Sequence, residues 1–260
     1  MTASGRDDLG IDVEVPRRVT RVVSLVPSLT EAIARTAPGL LVGVTAWCSR
    51  PVGLDVTRVR GTKNPDIAMI ISLAPDVVCA NAEENRAVDL DRLRAAGIPV
   101  WVTAPTSVDT ALVSLNRMLR DACGLDRPDW LTTARATWAA PYSGPRRSAL
   151  IPVWRRPWMA VGRDTFTGDV LHRLGIDNVL ADHPERYPRI GLDEVPPVDL
   201  VVLPDEPYAF SPTDGPEMFA GTPVVCVSGR HLTWYGPSLV SARAVLDAQL
   251  SRPVTTPART

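Results

Sequence analysis

Lysine is nearly missing from this chain of 260 residues: Lys63 is the only one, and the rest of the 28 cationic side chains are arginines. Chemistry that needs a desolvated lysine, as Schiff base or general base, is thereby confined to one position. Aromatic residues contribute only 5%, and His172, His183 and His231 are the only histidines. Neither charge is in excess. The formal net charge of −1 argues against nucleic acid, whose binding rests on clustered cations. No run of 18 apolar residues occurs, so no membrane-spanning helix is expected. The cysteines Cys48, Cys79, Cys123 and Cys226 share no CxxC spacing, and three lie in or beside apolar runs. Neither disulfides nor a zinc site are indicated. GxGxxG, Walker, GxSxG, HExxH and EF-hand patterns are also absent.

The first 16 residues are polar and acidic, with Asp7, Asp8, Asp12 and Glu14. They lack the basic and apolar regions of a secretory signal and the lipobox cysteine. Taken as written, the chain is expected in the cytoplasm. It is expected outside the cytoplasm if its start lies upstream or a leader has been removed.

What is present is a 45% hydrophobic chain with 25 prolines, enough for one large core or two small ones. Short β-branched runs alternate with helical patterns. Strands are expected at 22–26, 40–45, 76–80 and 100–104, with helices at 32–36, 67–74 and 90–96. Ser28 and Glu31 read as a capping box at the first helix start. The same grammar returns with strands at 148–154, 178–181, 199–203 and 223–227. Helices accompany them at 167–174, closed by Gly175, and at 237–250. Between the two series, 108–122 and 128–139 read as helices. The fold class is therefore α/β: two Rossmann-like lobes with parallel sheets, bridged by a single helix. The expected boundaries are a flexible segment at 1–18, a lobe at 19–125, the bridging helix and loop at 126–145, a second lobe at 146–250 and a tail at 251–260.

Lobes of this kind carry ligands at the carboxyl ends of their strands. Those ends present Pro27 and Ser28; Trp47; Asn81, Glu83 and Glu84; Trp154, Arg155 and Trp158; Asp205, Glu206, Tyr208 and Phe210; and a loop with Arg230, His231, Trp234 and Tyr235. Four of the seven tryptophans fall on these edges. Individually they could plug gaps under loops; together they suit a large, flat, partly polar ligand. An enzyme would instead need Glu83/Glu84, Asp205/Glu206 and His231 to converge as acid–base or metal groups. Solvated strand ends account equally well for both pairs.

The stretches "RVVSLVPSLTEAIARTAPGLLVGVTAWCSRP" and "ISLAPDVVCANAEENRAVDLDRLRAAGIPVWVTAPTS" closely resemble the amino-terminal lobe of class III periplasmic binding proteins. These are the helical-backbone receptors for vitamin B12, iron–siderophores and haem. "AVGRDTFTGDVLHRLGIDNVL", "VDLVVLPDEPYAF" and "LTWYGPS" resemble the second lobe. The resemblance implies a non-catalytic binding protein with a ligand in the interlobe cleft and an ABC permease as partner; no heptad or long exposed apolar stripe suggests a partner helix, so a monomer is expected. Ligand contacts carry over to Pro27, Ser28, Trp47, Asn81, Trp154, Arg163, Tyr208 and Trp234, with His231 and Tyr235 in the same loop. The Trp-Tyr-Gly-Pro loop leans toward cobalamin or a related corrinoid; a ferric siderophore or haem is the alternative. No catalytic cofactor, resident metal or nucleic acid is implied.

Where the family usually carries a glutamate for permease docking, this chain has Ala68, with Asp66 nearby. Asp193 and Glu194 are the expected docking acids of the second lobe. The bridging helix, about 12 residues and ~18 Å long by helical rise, is shorter than the family's.

Overall fold

The computed structural model describes residues Thr2–Thr255. The chain divides into two compact units: Met1–Pro105, Asp109–Thr133 and Tyr235–Pro237 make the first, and Thr106–Val108, Ala134–Trp234 and Ser238–Thr260 the second.

In chain order the first series of elements is β1 (Thr2–Arg6), β2 (Asp12–Pro16), β3 (Val22–Ser24), α1 (Pro27–Thr36), β4 (Leu41–Val44), β5 (Thr57–Arg58), β6 (Arg60–Gly61) and β7 (Asn64–Pro65). Then come α2 (Ile67–Ser72), β8 (Val77–Asn81), α3 (Ala87–Ala95), β9 (Val100–Thr103), α4 (Val108–Arg117) and α5 (Asp129–Ala139). Five strands form a parallel sheet in the order β5-β4-β3-β8-β9. From central β3 the first crossover leads to β4 on one side, and a later one reaches β8 on the other. Such a reversal opens a crevice at the carboxyl ends of the central strands. The whole of β8, VVCAN, is buried, as suits a parallel strand covered on both faces. Val23, Val78, Val100 and Val102 pack with Ile70 of α2 and Leu90 and Leu93 of α3.

The second unit continues with β10 (Arg147–Leu150), β11 (Pro152–Trp154), β12 (Met159–Ala160), α6 (Phe166–His172), β13 (Ile176–Asn178), β14 (Leu200–Pro204), β15 (Pro223–Val227), α7 (Gly229–Thr233), α8 (Leu239–Leu250) and β16 (Val254–Thr255). Its sheet runs β13-β10-β14-β15-β16, parallel except for the last pair. Here too β10 has successive partners on opposite sides, so the switch lies between β10 and β14. The core gathers Leu150, Val201, Leu203 and Val224 with Phe210. Parallel α/β sheets thus occur in both units, as the alternation of patterns predicts.

Several local expectations are corrected. Residues 2–16 are not a loose leader but an antiparallel hairpin. Buried Asp7 accepts from Leu9 N and Ile11 N, both at 2.9 Å, which closes the turn. Asp8 accepts from Ala104 N at 2.8 Å and from Ser114 Oγ at 2.5 Å, and pairs with Arg117. The Asp8 carboxylate is thus held by donors about 100 residues away in sequence, which no local pattern reveals. Ser28 does not cap α1. The N-cap is Val26, without a side-chain bond, because Pro27 takes the first helical position, where its missing N–H costs nothing. The expected strand at 148–154 divides. Pro152 cannot donate to a parallel ladder, and β11 turns back as a hairpin with β12. The strand expected at 178–181 lies earlier, at β13, since Asn178 Oδ1 accepts from Leu180 N at 3.1 Å and starts a turn. Within the expected tail, β16 pairs with β15, and residues 256–260 lie outside the described residues. The division between the units falls inside α5, after Thr133.

Candidate functional site

The carboxyl ends of β3, β4, β8 and β9 bring one set of side chains to an edge of the first unit. Trp47 follows β4 and is 69% exposed. Its turn is tied to β6 by Ala46 N donating to Arg60 O at 2.6 Å. Its Nε1 lies beside Gly61, 3.4 Å from where a Cβ would stand. Asn81, at the end of β8, is buried and its amide is fully engaged. Oδ1 accepts from Glu83 N at 2.8 Å and Glu84 N at 3.0 Å, while Nδ2 donates to Thr103 O at 2.9 Å. Asn81 therefore shapes the Glu83–Glu84 turn. Asn85 donates to Thr62 O at 3.0 Å, and Lys63 Nζ donates to Glu83 O. Those two bonds lock the β6–β7 turn beside the acids. Glu84 is an exposed residue, yet the protein around its carboxyl lifts its pKa by desolvation, with Lys63 opposing and Glu83 adding.

Pro27 and Ser28 follow β3 in the first turn of α1, Pro27 half-buried and Ser28 buried. Tyr235 belongs to the same unit and is 7% exposed. Its hydroxyl lies 3.0 Å from Thr103 Oγ1 and also bonds Ser28. Burial pushes its phenol far above the ordinary range, outweighing both hydrogen bonds.

The second unit presents an aromatic face. Trp154, at the end of β11, is 42% exposed and meets Tyr208 edge-on, with ring centroids 5.7 Å apart. Tyr208 leans on Phe210 at 4.6 Å, and Phe210 stacks on Trp158 at 5.9 Å. Arg155 lies 5.5 Å over the Trp158 ring and is clamped by Asp214 and by Glu217, the latter at 2.7 Å. The Tyr208 hydroxyl donates to Asp214 Oδ2 at 2.7 Å. That bond first, then desolvation, raises its pKa. A phenol so held resists becoming a phenolate.

The segment carrying His231 and Trp234 is not an open loop. Its start is the helical turn α7, seated against the Asp205–Glu206 turn. Gly229 N donates to Asp205 Oδ1 at 2.6 Å, and a Cβ there would fall 2.6 Å from Glu206 N. Trp234 is 8% exposed; its Nε1 donates to Glu206 Oε2 at 2.8 Å, and Arg230 lies 5.8 Å over its ring. His231 Nδ1 is 2.8 Å from Ser228 Oγ. Asp205 and Glu206 thus hold α7 and Trp234 in place. Among the described residues no group of three or more His, Cys, Asp or Glu is placed to hold a metal.

Arg163 lies elsewhere in the second unit. It lines a cavity of about 500 Å³ with Thr106, Ser107, Thr165, Asp169 and His172. Its partner is Asp164, at 3.7 Å, whereas Asp169 pairs with Arg173. Asp193 and Glu194 are exposed on a 3-10 turn, and Ala68 is exposed on α2. Asp66 caps α2, accepting from Met69 N at 3.1 Å. Two features of these faces carry no motif. Lys63 stands out in the sequence only as its sole lysine. The Arg155 clamp joins side chains 59 residues apart and leaves no local trace.

No family model matches the chain. It is 26% identical over 185 residues to the vitamin B12-binding protein of Yersinia pestis (strain Pestoides F), across 67% of this chain and 65% of that protein. It is 26% identical, with the same coverage, to the vitamin B12-binding protein of Yersinia pseudotuberculosis serotype O:1b (strain IP 31758). The chain thus spans about 65% of the length of the curated relatives it matches. Among solved structures, a periplasmic haem-binding protein from Roseiflexus sp. RS-1 superposes with a TM-score of 0.74 and 21% identity, covering 89% of this chain and 97% of that one. The periplasmic vitamin B12-binding protein of Vibrio cholerae gives 0.69 and 19%, covering 90% and 97%. With its two units, their parallel sheets and these likenesses, the chain has the fold of class III periplasmic binding proteins.

Proposed function

We propose that the chain is a non-catalytic, monomeric binding protein for cobalamin or a related corrinoid. Trp47 is the first unit's contact, and Trp154 with Tyr208 the second's. The observation that carries this reading is the pair of exposed tryptophans at strand carboxyl ends, Trp47 at 69% and Trp154 at 42%. An exposed indole on a fixed turn suits contact with a large flat ligand. The two curated relatives to which it is 26% identical are vitamin B12-binding proteins.

A haem or ferric siderophore is the second reading, because haem-binding proteins share the fold. The Tyr208–Asp214 bond favours the corrinoid. Ferric haem gains from a phenolate ligand, which this bond opposes, whereas the metal of a corrinoid needs no protein ligand. Titration calorimetry with cyanocobalamin, haem and a ferric siderophore decides between them. Binding of cyanocobalamin at least tenfold tighter than the other two is expected; haem binding tightest would overturn the choice.

We place the protein outside the cytoplasm, because the solved proteins of this fold are periplasmic; nothing in the comparisons favours the cytoplasmic expectation. An ABC permease is the proposed partner, met by Asp193 and Glu194. Exposed Ala68 on α2 supplies no charge on the first unit's side, so this docking is weaker and less well oriented than a two-sided one.

A further inference from the structure

The turn between β6 and β7 carries the chain's only lysine. That turn is built against the Glu83–Glu84 turn: Asn85 donates to Thr62 O at 3.0 Å, and Lys63 Nζ donates to Glu83 O. Gly61, two residues before Lys63, has Trp47 Nε1 as a neighbour, 3.4 Å from where a Cβ would stand. Lys63, Glu83 and Glu84 are all solvent-accessible. One lysine and two glutamates therefore sit on turns neighbouring the one that carries the exposed indole, at one edge of the first unit.

A primary carboxamide offers one carbonyl acceptor and two N–H donors. Lysine can only donate and ionised glutamate can only accept. A ligand edge bearing carboxamides would satisfy both kinds of group at once. An edge bearing two carboxylates, like that of haem, would face a rim whose own net charge is negative. We propose that Lys63, Glu83 and Glu84 form a polar rim beside Trp47 that reads carboxamide groups on the edge of the bound macrocycle. This rests on the corrinoid reading above and names the chemistry by which the site selects it.

The lone lysine makes the test direct. Acetylate the protein with an amine-specific reagent, with and without saturating cyanocobalamin, and follow Lys63 by mass spectrometry against the chain's α-amino group. Lys63 acetylation should slow at least fivefold while the α-amino group is unaffected. In parallel, compare binding of cyanocobalamin with a derivative in which one side-chain amide is hydrolysed to carboxylate. The wild type should prefer the amide at least fivefold, Glu84→Gln should reduce that preference below twofold, and Lys63→Gln should weaken both ligands. Trp47 fluorescence, taken as the difference between wild type and Trp47→Ala, separates the two levels of the claim. Quenching by cyanocobalamin without protection of Lys63, or with an unchanged amide preference in Glu84→Gln, overturns the rim and leaves the corrinoid reading standing. No quenching and no binding of cyanocobalamin overturns both.

Discussion

The Tyr235 hydroxyl lies 3.0 Å from Thr103 Oγ1, so a residue that follows α7 completes the hydrogen bonding at the end of β9. Thr103 Oγ1 also donates to Ala80 O at 3.0 Å, and its carbonyl accepts from Asn81. The ends of β8 and β9 thus meet at one buried polar knot. Such networks fix geometry when every member is satisfied.

Tyr235→Phe removes the hydroxyl from that knot. We expect a loss of about 1–2 kcal/mol in urea unfolding, the cost of leaving buried partners short of one bond. Corrinoid affinity should change less than twofold. A large affinity loss at unchanged stability would make Tyr235 a ligand contact instead.

Two tryptophans should respond in opposite ways. Trp47→Ala should leave the unfolding midpoint nearly unchanged, because so much of the indole is in solvent, and should weaken cyanocobalamin binding by about 1–3 kcal/mol. Trp234→Ala should destabilise the protein by about 3–5 kcal/mol, since its ring is buried and bonded to Glu206. Calorimetric titration and chemical denaturation of both variants separate the two roles.

The amino-terminal hairpin should prove part of the fold. At Gly5 a Cβ would lie 2.7 Å from Asp121 Cβ and 3.0 Å from the Trp101 ring. Gly5→Ala is expected to cost about 1–3 kcal/mol by overpacking. Stability equal to wild type would show that the hairpin does not press on Trp101.

The pair Arg146–Asp177 gives a pH signature. Hydrogen bonding from Arg146 holds the Asp177 carboxyl below its usual range, against desolvation, with His172 helping. A depressed folded pKa stabilises above the unfolded value, about 3.9, and that contribution is lost as pH falls through the folded value. Asp177→Asn should therefore be less stable than wild type at pH 7, with the gap closing below about pH 4. The pair is half-exposed, so the gap should stay under about 1 kcal/mol. Thermal melts at pH 7 and pH 3 measure it.

The docking proposal is tested by giving the chain an export signal in a host that lacks its own cobalamin receptor. Uptake should be weak with the wild type and should rise several-fold with Ala68→Glu. Equal, full rescue by both would show that docking needs no acid at this place.

Much of the architecture is legible in sequence because parallel strands buried on both faces must be continuous apolar runs, as β8 and β14 are. The glycines that end helices are legible too: Gly97 and Gly175 have φ of 78° and 79°, a conformation that glycine adopts without strain. From those signals follow the α/β class, two units and the placement of Trp47 and Trp154 at strand ends. What the chain does with its charges is not local information. Asp7 and Asp8 look like solvated acids until the backbone of β9 and the side chains of α4 arrive as donors. Asp205 and Glu206 read as solvated strand ends or as acid–base groups until Gly229 and Trp234 occupy them, and the partner of Lys63 is hidden until its turn closes on Glu83. Hydrophobic periodicity is written along the chain because it reflects each residue's own burial. The partner of a carboxylate or an ammonium is chosen by chain segments tens of residues away, and only the tertiary structure brings them within hydrogen-bonding distance.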